Sequence, residues 1–129
     1  MSQPEITTRT ARIGLRDDGC IVARIHQGVV QSLADARDNL QGAVRSCGDR
    51  RRPLLVDISQ AQPLEPEVRH LYTGEILVES FLALALVVEA TPFGRIMGNI
   101  YLRVSKPGIP SRLFAEEPTA LRWLRTFLP

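Results

Sequence analysis

The chain has 129 residues, 44% hydrophobic and 23% charged, with sixteen basic against fourteen acidic side chains and a formal charge of +2. This is the composition of one soluble globular domain, and it excludes collagen, intrinsic disorder and a disulfide scaffold. The longest apolar run, Phe81 to Val88, falls far short of the ~20 residues a membrane span needs, and Met1 to Thr10 carry no export segment, so no membrane insertion and a cytoplasmic location are expected.

Residues 1–9 read as a flexible N-terminal tail, and residues 10–129 as a single domain. Ile13 and Leu15, then Ile21, Ala23 and Ile25, alternate on either side of Asp17-Asp18-Gly19, the pattern of a β-hairpin with a tight turn. From Ser32 the period changes. Leu33, Ala36, Leu40, Val44 and Cys47 recur at helical spacing between a capping Ser32 and a terminating Gly48, which predicts an amphipathic helix over 32–47.

Leu54 to Ile58 is a short apolar run of the kind found in a central strand covered by helices. Ser59 to Pro66 is a loop. Pro66 then opens a second helix with Val68, Leu71, Tyr72 and Ile76 on one face, and Phe81 to Val88 reads as a third interior strand. Thr91-Pro92 starts another helix, with Phe93, Ile96, Met97, Ile100, Tyr101 and Val104 inward and Gly94 and Gly98 on one ridge. Lys106 to Pro110 is a loop, Arg112 to Ala115 a short strand, and Pro118 opens a last helix with Ala120, Leu121, Leu124 and Leu128 inward. The order β-β-α-β-α-β-α-β-α predicts an α/β fold, a mixed sheet of about five strands whose later members run parallel.

Fifteen of the sixteen basic residues are arginine, the exception being Lys106. They are scattered and interleaved with carboxylates, which argues against a nucleic-acid surface. The one cluster, Arg50 to Arg52, suits a solvated turn at a helix C-terminus. Cys20 and Cys47 lack a CxxC spacing and, with His26 and His70, lack the paired spacings of zinc motifs, so no metal site is read.

Taken in order, Leu54-Leu55-Val56-Asp57, Arg69, Arg95 with Gly98-Asn99, Pro110 to Phe114 and Ala120 to Leu124 resemble a family of small bacterial STAS-like (SpoIIAA-like) proteins, the fold of anti-sigma factor antagonists. The likeness covers residues 10–128. It implies a mixed sheet with helices mainly on one face, no enzymatic activity and work done through a protein partner. Antagonists of that family are switched by phosphorylation of a serine at the start of the second helix. Here that region reads Leu64-Glu65-Pro66-Glu67-Val68, without a hydroxyl, so the switch does not carry over. Ser59 is the nearest alternative acceptor.

Asp57 stands near the C-terminal end of its strand, the edge at which open α/β sheets bind ligands, and is the best single candidate for chemistry; with Arg69 and His70 it forms a trio of the kind that positions an acid–base pair. No nucleophile elbow, GxGxxG or GxxxxGK motif accompanies them, so no catalytic residue and no cofactor is assigned. The leading expectation is a non-catalytic regulatory or scaffold module docking another protein through Asp57, Glu65, Glu67, Arg69 and His70. The alternative is a carrier of a small apolar ligand or lipid. If helices covered only one face of the sheet, the Phe81–Val88 strand would expose apolar side chains and favour a twofold homodimer, through that face or through the Gly94 and Gly98 ridge; the competing arrangement has the hairpin, loops and terminal helix cover both faces.

Overall fold

A computed structural model describes residues 4–59, 61–88, 94, 96, 99, 103 and 107–129. Among them one mixed sheet holds six strands: β1 (Ile6–Thr7), β2 (Ala11–Leu15), β3 (Ile21–Ile25), β4 (Arg52–Asp57), β5 (Phe81–Val87) and β6 (Ser111–Phe114). The helices are α1 (Leu33–Cys47), α2 (Pro66–Tyr72), α3 (Glu75–Ser80) and a C-terminal helix, Glu117–Arg125. The strands lie side by side in chain order; β1, β2 and β3 are antiparallel and β3 to β6 are parallel.

Local chemistry explains most of these elements. In the hairpin, Gly19 takes φ 98°, Arg16 N–H donates to the Cys20 carbonyl at 2.8 Å, and Leu15 faces Ile21 across the ladder. A side chain at Gly19 would be strained by that positive φ. Ser32 and Asp35 form a reciprocal capping box at the start of α1, and Arg52 donates through Nε to the Cys47 carbonyl at its end, at 2.9 Å. Of the arginine cluster, Arg52 thus closes α1 although it already begins β4 and is not part of a solvated turn, and Arg51 donates to the carbonyls of Val78 in α3 and Phe81 in β5.

The β3–β4 and β4–β5 parallel pairs, added in the same direction, send their crossovers through α1 and through α2 and α3 to one face of the sheet. There α1 and α3 bury Ala43, Cys47 and Leu77 against Ile13, Ile25, Leu54, Leu84 and Leu86. The opposite face is covered by the C-terminal helix, whose Ala120, Leu121 and Leu124 pack on Cys20, Val22, Leu55, Ala83, Ala85 and Val87. Each fully buried leucine there contributes roughly 1.5 to 3 kcal/mol. β5 is thus interior, as expected, but its second face is covered within the chain, which removes the exposed apolar sheet that favoured a homodimer.

The structure differs from the sequence reading at three other places. Ile6 and Thr7, inside the segment read as a flexible tail, pair with β2 as an edge strand, and Ile6 packs against the core. Two residues carry too little alternation to announce a strand; tertiary contact makes it. The single helix read from Pro66 through Ile76 is broken at Thr73 and Gly74, where an extended Gly74 caps α3 and resets the helical phase, so Leu77 is buried and Ile76 is 39% exposed. The segment opened by Thr91-Pro92 is described at Gly94, Ile96, Asn99 and Arg103, all helical; the rest, including the Gly98 half of the glycine ridge, lies outside the described residues. Ile96, expected inward, is 58% exposed while Gly94 is buried. With 3.6 residues per turn, the two stand more than half a turn apart, so the inward face is Gly94's.

Candidate functional site

The sheet separates the residues that the sequence brings together. Side chains alternate along β4: Leu54 and Val56 face α1 and α3, whereas Leu55 faces the C-terminal helix, and Asp57, two residues on, shares its side. Arg69 and His70 lie on α2, which packs against α1 on the other face. Asp57 and His70 therefore do not form an acid–base pair. Asp57 Oδ1 accepts the Ser59 N–H at 2.9 Å and is engaged in a turn, which also accounts for Ser59 as a loop-starting residue. The strand order never reverses between β3 and β6, so the parallel sheet has no switch point at which a crevice would open beside Asp57. Glu65, Glu67 and His70 are exposed on or just before α2, and only Arg69 is half-buried.

Arg69 leads instead to a feature that the sequence reading did not find. Between the sheet and its helices lies a cavity of about 80 Å³. Ala23 and Ile25 of β3, Leu54 and Val56 of β4 and Leu84 and Leu86 of β5 form its floor, and Leu40, Ala43 and Leu77 of the helices face them. Gln31, Asn39, Arg69, Tyr72 and Thr73 supply its polar lining among the described residues. Arg69 Nη1 donates to the Leu64 carbonyl at 3.3 Å, which holds the guanidinium beside another residue of the cavity wall. No carboxylate pairs with Arg69 among the described residues, and most of its five donors have no partner among them.

The polar end is a buried network. Asn39 Nδ2 reaches Thr10 Oγ1 at 2.8 Å, the Tyr72 hydroxyl at 2.9 Å and Gln31 Oε1 at 3.2 Å, and its Oδ1 accepts from the Thr8 hydroxyl. Tyr72 donates in turn to Gln31 Oε1. Burial pushes the Tyr72 hydroxyl up to about 12, so it stays protonated and can donate. Next to the network, Arg9 grips Asp35 through both carboxylate oxygens. That contact first, then the Ser32 N–H, holds the Asp35 carboxyl well below its usual range against the opposing effect of burial. Asn39 and Gln31 are each 5% exposed. Gln31 spends its carbonyl on Tyr72 and Asn39, and its amide nitrogen has no partner among the described residues. A signal for this network exists in the sequence: Asn39 stands three residues after Ala36 and four before Ala43, on the inward stripe of α1, where an amide demands buried partners.

A family model described as "Domain of unknown function (DUF7793)" matches residues 13–128. The chain belongs to that family. No curated protein and no solved structure matches it. The matched span of the DUF7793 domain takes in β3 to β6, the cavity lining and the C-terminal helix, and leaves Thr8, Arg9 and Thr10 outside. No cluster of His, Cys, Asp and Glu suited to a metal occurs among its described residues, and none of the helices searched is long and apolar enough to cross a membrane. Cys20 and Cys47 are both buried and free, one on each side of the sheet.

Proposed function

We propose that this domain is a non-catalytic binding module whose cavity accepts a small, largely apolar organic molecule. The observation that carries the reading is the cavity itself, an apolar space between sheet and helices with a few convergent polar groups at one end, which is the usual make-up of a ligand site. Its size sets the scale of the ligand. An engineered cavity of about 150 Å³ binds benzene, so about 80 Å³ suits a group of roughly three or four carbons, far smaller than a lipid chain. Binding rather than catalysis is supported by the separation of Asp57 from His70 and by the engagement of Asp57 in a turn.

The test is an NMR titration of the full chain with a panel of small branched and linear organic molecules. Saturable shifts at the amides of Ile25, Val56 and Leu86, abolished by Ala43→Leu, which fills the cavity, are the expected result. Absence of any such shift across the panel overturns the reading. A docking role, with a protein bound at Glu65, Glu67 and His70, is supported by the exposure of those three side chains beside the cavity wall. A partner held there should be released by reversing the charges of Glu65 and Glu67.

A further inference from the structure

Resting on that reading, we infer that the ligand carries a carboxylate, and that Arg69 with the Gln31 amide selects it: the site takes a short-chain carboxylic acid, alkyl end inward. Two unspent groups lead there. The Arg69 guanidinium sits at the cavity wall with a single carbonyl contact and no acidic partner among the described residues. Gln31 is a buried residue, 5% exposed, that lines the same cavity, and its amide nitrogen donates to nothing described. A buried donor without an acceptor is costly, and native proteins rarely leave one without cause.

The available chemistry is one-sided. Asn39 and Tyr72 have spent their donors on Gln31 and Thr10, so among the described residues what remains free at the cavity is a cation and an N–H, both of which want an acceptor. An alcohol or amide oxygen accepts from either group but brings no charge to the guanidinium. A carboxylate supplies that charge, through charge-assisted hydrogen bonds that are roughly twice as strong as neutral ones. The apolar floor excludes a second charged group, which sets aside amino acids and dicarboxylates, and the volume excludes long acyl chains.

The experiment uses the full chain and two probes of matched shape, 3-methylbutanoate and 3-methylbutanamide, titrated by NMR against the wild type, Arg69→Met and Ala43→Leu. The acid should bind in the millimolar range and at least about tenfold more tightly than the amide. Arg69→Met should erase that preference, weakening the acid by at least about tenfold and the amide by less. Equal binding of acid and amide, or an acid affinity indifferent to Arg69→Met, overturns the carboxylate inference and leaves the cavity reading intact. If neither probe nor any other panel member shifts the cavity amides, both fall together. Melting curves of the two variants establish that each is folded, and Arg69 is only partly buried on a short helix, so the unbranched Met is tolerated there.

Discussion

Replacing Asn39 by alanine should cost about 2 to 5 kcal/mol, a large share of the roughly 5 to 15 kcal/mol that holds a domain of this size together. The figure follows from the neighbours left behind. Gln31 and Tyr72 keep their mutual hydrogen bond, and the Thr8 hydroxyl still accepts the Ala11 N–H at 3.0 Å. The Thr10 hydroxyl, fully buried, retains no described partner. A few hydrogen bonds at about 1 kcal/mol each, plus about 1 to 3 kcal/mol for the orphaned hydroxyl, give the range. Urea denaturation followed by the fluorescence of Trp123, the only tryptophan, measures it. The sharper form is a double-mutant cycle. Thr10→Val alone should destabilise by about 1 kcal/mol, but on the Asn39→Ala background it should be neutral or stabilising, because the group without a partner is removed with it. A loss below about 1 kcal/mol for Asn39→Ala, or additive effects in the double variant, would refute the account of the network.

Gly48 ends α1 at φ 71°, ψ −121°, and nothing lies within 4 Å of where a β-carbon would stand, so Gly48→Ala should cost about 1 to 3 kcal/mol through backbone strain alone; an unchanged urea midpoint contradicts this. Because the folded-state pKa of Asp35 lies below its ordinary value of 3.8, the unfolded chain takes up the proton first as pH falls. Its contribution to stability is complete above that value and is lost on further acidification, so Asp35→Asn should flatten the acid limb of the stability profile, and an equally steep limb in the variant speaks against it. Burial raises the pKa of both thiols, that of Cys20 to about 11, so neither should react with Ellman's reagent in native buffer and both should react in urea. Rapid native labelling of either cysteine contradicts that burial.

The fold was legible where local signals agreed with tertiary demand. The hairpin turn at Gly19, the Ser32 cap and the Gly48 stop are determined by backbone and side-chain chemistry within a few residues, and β4 and β5 by short, nearly continuous apolar runs of strand length. What the sequence concealed depends on distant contacts. β1 exists because Ile6 finds Ile13, and the break before α3 shifts burial from Ile76 to Leu77, a change that period alone does not show. The same applies to the site. Asp57, Arg69 and His70 looked like one group until alternation along β4 put Asp57 behind the sheet. Arg69 alone of the expected residues reaches the cavity, which draws its polar end from a loop, α1 and α2 at once. Only Asn39, a polar residue on an inward stripe, advertised it.

The placement of the C-terminal helix bears on how the molecule is made. Synthesis proceeds from the N-terminus, so all six strands leave the ribosome before the element that shields Leu55, Ala83, Ala85 and Val87. One side of the nascent sheet can mature against α1 to α3 while the reverse stays bare and sticky. Translation of this domain thus includes an interval in which chaperones have a defined apolar target, and that interval closes when Ala120, Leu121 and Leu124 arrive.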